Sequence, residues 1–286
     1  MDILLSAANG RTGRRVLEAL VGAGADVRVF LRKAEQWPTL QALGAREYAL
    51  GDMEDGASVD AAVAGCDRVL HIGPPMHPQE LDITRRFLDA ALARGCSRFI
   101  YYSVMHPLLR AIRHHRLKLD AEQMLVESGL PFTIVQPSRY MQHLENIWAS
   151  VRETGVHAMP FSTTQRFSVA DLKDLAEATA VVATADGHDY ASYELAGPEA
   201  LSQEDMAATI GRLLGRQVRA EAQSLELMAE KARAKGASDD RVAQMRSMNA
   251  HYDAHGFHGN PNVLRWLLGR PPTTFDSYVR RLIDDA

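Results

Sequence analysis

An alternation running through the first half of this chain leaves few folds open to it. Short apolar runs at Ile3–Ser6, Val27–Leu31, Glu47–Ala49, Arg68–Ile72, Arg98–Ser103 and Phe132–Gln136 are separated by helical patterns at Gly13–Ala23, Trp37–Leu43, Ser58–Ala64, Gln79–Arg94 and His115–Ser128. Gly24, Gly44, Gly65, Gly95 and Gly129 stand just past those helical patterns, where helices commonly end. Strands so rich in Val, Ile and Leu cannot leave a face to water, so they belong in a parallel sheet covered by helices on both sides. The expectation is an α/β chain built on a doubly wound parallel sheet.

After Pro137 the alternation loosens. Residues 138–162 read as loop and helix, 168–185 as a helix, and Tyr193–Ala196 as a further strand. From Ser202 the chain reads as largely helical, with Ser202 and Ser238 as N-caps and Gly211, Gly215 and Gly256 as breaks. This divides the chain into an α/β domain at 1–137, joined by the helix around 168–185, and a smaller, mostly helical lobe at 138–162 and 188–286. The 286 residues, 46% hydrophobic and 24% charged, can fill a globular core. A net charge of −4 offers no attraction for nucleic acid or an anionic membrane. The two cysteines, Cys66 and Cys96, form no CxxC pair, and no apolar run is long enough to span a bilayer. A soluble, reduced, cytoplasmic setting is expected, and a homodimer is compatible with the sequence.

The first strand-to-helix connection, "SAANGRTGRR", holds Ala7, Gly10 and Gly13 at the spacing of a G-x-x-G-x-x-G phosphate turn, with alanine at its first position. Such a turn needs small residues to bend tightly, to let a diphosphate approach the backbone, and to let helix pack on strand. Alanine disfavours positive φ, so the turn is expected to hold a conformation that alanine accepts. Ala7, Asn9, Gly10, Arg11, Thr12 and Gly13 are therefore candidate diphosphate contacts. At the end of the second strand, where a carboxylate would hold the ribose of NAD, stand Arg32 and Lys33. A guanidinium suits a 2′-phosphate because its donors form a planar fork, so NADP(H) is expected over NAD(H).

Four stretches carry a resemblance to a known family: "GDMED" at 51–55, "SVMHP" at 103–107, "HHRLKLDAEQMLVESGLPFTIVQPSRYMQ" at 114–142, and "GNPNVLRWLLGRPPTTFDSYVRR" at 259–281. Together with the opening turn they are similar to the NmrA-like family of atypical short-chain dehydrogenase/reductases, over essentially the whole chain. The resemblance implies a Rossmann fold, a bound NADP or NAD, and a small C-terminal substrate lobe. It also implies roles at other strand ends: Asp52 and Met53 for adenine, Gly73, Pro74 and Pro75 for the ribose nearer the nicotinamide, and Ser103 in the cofactor site. Some relatives reduce quinones, aromatic ethers or similar unsaturated compounds. Others are redox sensors that bind nucleotide without turning it over.

Short-chain dehydrogenases commonly use Tyr-x-x-x-Lys, whose spacing sets both side chains on one helix face. Here Lys118 occupies the lysine position and His114 stands where the tyrosine would. That departure matches the NmrA-like pattern and speaks against the standard tyrosine mechanism, which leaves two readings. His114 donates a proton, as its ordinary pKa allows, or Lys118 only holds the ribose and the substrate needs little acid help. His106, Tyr140, Met141 and Phe161 are the candidates for the substrate side, suiting a small, flat, hydrophobic molecule. His251, His255 and His258 do not suggest a metal, because Gly256, Gly259 and Pro261 interrupt the helix around them. The reading is an NAD(P)H-dependent reductase of an aromatic or quinonoid substrate; the alternative is a non-catalytic NADP(H) sensor acting through a protein partner.

Overall fold

The computed structural model describes residues 1–285 and divides them into two compact units, 1–108 with 115–137 and 175–194, and 109–114 with 138–174 and 195–286. Along the chain the first half runs β1 (Asp2–Leu5), α1 (Arg11–Gly22), β2 (Asp26–Leu31), α2 (Trp37–Ala42), β3 (Glu47–Leu50), α3 (Gly56–Val63), β4 (Arg68–Ile72), α4 (Glu80–Ala93), β5 (Arg98–Tyr102), α5 (Arg113–Glu127) and β6 (Phe132–Pro137). There follow β7 (Arg139–Tyr140), α6 (Trp148–Thr154), β8 (Val156–Met159), β9 (Phe167–Ala170), α7 (Leu172–Thr184), β10 (Ala191–Leu195) and β11 (Glu199–Leu201). The chain closes with α8 (Gln203–Leu214), β12 (Arg219–Ala222), α9 (Leu225–Ala234), α10 (Asp239–His255), α11 (Asn262–Leu268) and α12 (Phe275–Asp284).

The first unit is built on a sheet in the order β10-β6-β5-β4-β1-β2-β3. Its strands β1 to β6 pair in parallel, with Ile3 opposite Val27 and Arg68, and His71 opposite Tyr101. The order reverses at β1 and β4, so the carboxyl ends of these strands flank a topological switch point, where open α/β sheets bind ligands. Strand β1 is central and apolar: Ile3, Leu4 and Leu5 are wholly buried. Each such side chain contributes about 1.5–3 kcal/mol by leaving water. One polar chain crosses this core: Ser6 Oγ lies 3.0 Å from His71 Nδ1, Thr84 Oγ1 lies 3.3 Å from His71 Nε2, and the imidazole stacks on Phe87. Burial pushes His71 down to about 3, so it stays neutral.

All five glycines expected at helix ends have positive φ. Asp55 caps α3 through the Ala57 and Ser58 amides, and Ser202 forms a capping box with Asp205. Ser238 caps α10 as expected.

The second unit departs from the sequence reading. It holds a three-stranded sheet, β11-β9-β7, and a two-stranded parallel pair, β12 with β8. The helix expected at 168–185 begins only at Leu172, because Phe167–Ala170 is a strand that pairs with both β7 and β11. "FSVA" is β-branched and aromatic enough for a strand, and its partners lie far enough away in sequence that local periodicity does not register them. The stretch after Ser202 likewise contains strand β12, paired to Val156–Met159. Among the described residues, no helix is long and apolar enough to cross a membrane, and no group of three or more His, Cys, Asp or Glu is placed to hold a metal ion.

Candidate active site

The turn after β1 corrects one expectation. Ala7 adopts φ +50°, the left-handed region that alanine disfavours, at a cost of about 1–2 kcal/mol. What holds it there is the turn itself: the Gly10 amide donates to Ala7 O at 3.0 Å. The tightest point is Gly13, where an added Cβ would lie 2.3 Å from Ala7 O and 2.7 Å from Ala8 Cα. Gly10 is the N-cap of α1 and offers no side chain to its first turn, which also lacks an acidic residue. The positive end of the α1 dipole therefore lies at this turn with no acidic side chain set against it. Arg14 steadies the loop, donating to both the backbone oxygen and Oδ1 of Asn9. Arg11 is exposed and Thr12 half-buried at the start of the helix.

A cavity of about 180 Å³ opens at the ends of β2, β3 and β4, lined by Phe30, Arg32, Gly51, Asp52, Met53 and Pro74 among others. Four residues singled out in the sequence, Arg32, Asp52, Met53 and Pro74, therefore share one cavity. Lys33 is exposed and absent from that lining. Asp52 Oδ1 accepts from the Glu54 amide, which shapes the loop after β3.

Past the end of β4 the chain passes Gly73 over a buried ion pair. Lys118 Nζ lies 2.8 Å from Glu80 Oε1, with the two side chains 4% and 0% exposed. It also donates to Tyr102 O at 3.1 Å and sits 4.8 Å from the Tyr101 ring centre. A Cβ at Gly73 would meet Glu80 Oε1 at 3.4 Å and Lys118 Nζ at 3.5 Å, so the pair packs directly against this glycine. Burial alone would lower the Lys118 ammonium, but Glu80 and Tyr101 outweigh it and hold its pKa above the ordinary value. Tyr101 itself is pushed up to about 12 by burial. Glu80 was not among the residues singled out in the sequence. Thirty-eight positions separate it from Lys118, and only the pairing of β4 with β5 brings their helices together.

Ser103, also 6% exposed, donates its hydroxyl to Glu122, which Gln136 holds from the other side. His114 is half-buried near the start of α5, one turn before Lys118. Its neighbour His115 is fully buried, with Nδ1 2.9 Å from His106 O. His106 holds φ +56° immediately before Pro107, and its Nδ1 lies 3.1 Å from Glu194 Oε2. Left-handed backbone before a proline is strained.

The second unit has its own pocket, lined by Tyr140, Met141 and Phe161 together with Arg139, His157, Phe167, Gln203 and several others. Three of the four expected substrate residues thus converge; His106 is not in that lining. Arg139, His157 and Gln203 were not anticipated. The mixed polar stretch "VQPSRYMQ" gave no signal that set Arg139 apart. The His251 and His255 rings lie 4.5 Å apart on α10, tilted by 47°, Gly256 is the C-cap of that helix, and Tyr252 packs on Phe257 at 4.7 Å.

Comparison with known proteins agrees with this architecture. The NAD(P)H-binding family model matches residues 7–180. An NAD(P)H azoreductase of Xenophilus azovorans is 26% identical, covering 97% of this chain and 96% of its own. A (4-alkanoyl-5-oxo-2,5-dihydrofuran-3-yl)methyl phosphate reductase of Streptomyces griseus is 30% identical, covering 77% of this chain and 76% of its own. The same fold is seen in an Escherichia coli NADPH-dependent quinone oxidoreductase solved with NADPH, at 24% identity and TM-score 0.86, covering 98% of this chain and 99% of that one.

Proposed function

Because this chain belongs to the NAD(P)H-binding family, in its NmrA-like branch of atypical short-chain dehydrogenase/reductases, we propose that it is an NADPH-dependent reductase of a small, flat, aromatic or quinonoid molecule. The observation that carries the cofactor half is the cavity where Arg32, Asp52, Met53 and Pro74 meet. The substrate half is supported by relatives named as azoreductase and quinone oxidoreductase and by the aromatic pocket around Tyr140, Met141 and Phe161.

The residues present fit the cofactor. Gly13 leaves no room for a side chain against Ala7, and the uncapped first turn of α1 offers its amides to a diphosphate. In this reading Ala7 to Gly13 hold the diphosphate, Arg32 with Lys33 takes the 2′-phosphate, and Asp52 and Met53 meet the adenine. Gly73, Pro74, Pro75 and Ser103 border the ribose nearer the nicotinamide. The bound nicotinamide supplies the hydride. Lys118 contributes a fixed positive charge, kept ionised by Glu80 and oriented by Tyr102 O. His114 donates the proton that completes the reduction, or water does so when the acceptor is electron-poor enough to take hydride first.

The test is oxidation of NADPH followed by absorbance, with quinone and azo acceptors, alongside calorimetry with NADPH and NADH. Tighter binding of NADPH and acceptor-dependent oxidation support the reading. Tight NADPH binding with no oxidation across a broad acceptor panel supports the sensor instead. Arg32→Asp is expected to weaken NADPH about tenfold or more, since a charged hydrogen bond contributes about 1.5–3 kcal/mol, while NADH binding holds.

A further inference from the structure

The pocket of the second unit is apolar along most of its wall, yet it holds a half-buried cation with no carboxylate beside it and two buried polar side chains, His157 and Gln203, set against each other. The Arg139 guanidinium lies over the rings of Phe161 and Phe167, at 5.1 and 5.7 Å, and among the described residues no carboxylate pairs with it. His157, 2% exposed, keeps Nδ1 buried without a hydrogen-bond partner. Gln203, 1% exposed, donates from Nε2 to Phe161 O, and its side chain also lies against the His157 imidazole, which it helps to keep basic. Burial pushes Arg139 down to about 10, which leaves it cationic at neutral pH. Burial first, and the Arg139 charge second, push His157 down to about 4, so the imidazole is neutral and able to donate from one nitrogen.

Unpaired buried donors and acceptors cost about 1–3 kcal/mol each, and a charged one costs more. Groups left in that state around a pocket are satisfied when a ligand arrives. A planar cation held over aromatic rings presents its N–H edge to a planar oxygen acid. We propose that this pocket binds an aromatic anion, its carboxylate, sulfonate or ionised hydroxyquinone oxygen taken by Arg139 and its ring by Phe161 and the surrounding apolar wall. His157, with Gln203 set against it, adds a donor to the anion. In this structure the cavity is about 20 Å³, room for one water. A ring therefore enters by displacing Met141, Met159 and Met206, unbranched side chains that change rotamer readily. The proposal rests on the reading of this pocket as the substrate side, and it narrows the substrate from flat and hydrophobic to flat and acidic.

Two measurements separate it from that reading. Thermal unfolding of the wild type in benzoate or in benzamide compares an anion with a neutral molecule of the same shape; stabilisation by benzoate alone is expected, and equal shifts overturn the proposal. NADPH oxidation with a hydroxynaphthoquinone, ionised at neutral pH, is then compared with that of unsubstituted naphthoquinone. In Arg139→Gln the ratio of kcat/KM between the two is expected to fall about tenfold or more in disfavour of the anion, with partial recovery in Arg139→Lys. An unchanged ratio in an active, folded variant overturns the proposal and leaves the reductase reading intact. If no acceptor is reduced, the reductase reading fails and the benzoate comparison alone decides the pocket. If the variants do not fold, the wild-type comparison again decides.

Discussion

Replacing Glu80 by Gln leaves the Lys118 ammonium buried without the carboxylate it contacts. The carboxylate is 0% exposed and the lysine 4%, so water cannot take over the lost interaction. Breaking a buried pair from one side costs about 3–5 kcal/mol, whereas replacing both partners by apolar groups of similar size is often close to neutral. For a protein of this size 1 kcal/mol moves the midpoint by about 2–4 °C, so Glu80→Gln should lower it by roughly 6–20 °C. Lys118→Met with Glu80→Leu should recover most of that loss. The assay is a double-mutant cycle by thermal unfolding, read together with NADPH affinity. The rescued double variant should still bind NADPH more weakly than wild type, because the fixed charge beneath Gly73 is gone. The pH dependence has a definite sign. The folded pKa of Lys118 is raised, so its stabilisation is complete below the unfolded value of about 10.4 and is lost only as pH rises through the higher folded value. A Glu80→Gln protein as stable as wild type would refute the reasoning, and so would a double variant no better than the single ones.

Gly13→Ala should abolish NADPH binding and lower stability, because its Cβ would stand 2.3 Å from a backbone oxygen that cannot turn aside; calorimetry and thermal unfolding read both. Ala7→Gly should keep NADPH affinity and raise stability by up to about 1 kcal/mol, since glycine removes the strain at φ +50°. His71 and His157 have folded pKa values of about 3 and about 4, below the unfolded value near 6.5, so the unfolded chain binds more protons between these limits. Stability should thus fall as pH drops from about 6.5 to about 4, and less steeply in His157→Gln, as measured by urea unfolding at stepped pH. His114→Phe should lower turnover about 10²–10⁴-fold if the histidine is the proton donor. Near-normal kcat would assign the proton to water.

The sheet and its crossover helices were legible in the sequence because they are specified locally. Apolar runs of the right length, periodic helices and terminal glycines each act within a few residues, and the boundaries of β4 agree to the residue. The tight turn after β1 was legible for the same reason, through the spacing of Ala7, Gly10 and Gly13. The conformation of Ala7 was not, since a hydrogen bond from Gly10 and the crowding at Gly13 override the intrinsic preference of alanine. The second unit was read poorly. Strands β7, β8, β9, β11 and β12 are two to four residues long, and each exists only because a partner distant in sequence supplies its hydrogen bonds. The electrostatics of the site also waited on the fold. Lys118 is recognisable from its place in "HHRLKLD", but Glu80 becomes its counter-ion only once β4 and β5 pair. Arg139 becomes a cation without a carboxylate only once the fold sets it over Phe161 and Phe167. Local propensity and spacing are carried by neighbouring residues, whereas burial, and with it the strength of every charge, depends on which distant segments exclude water from the same place.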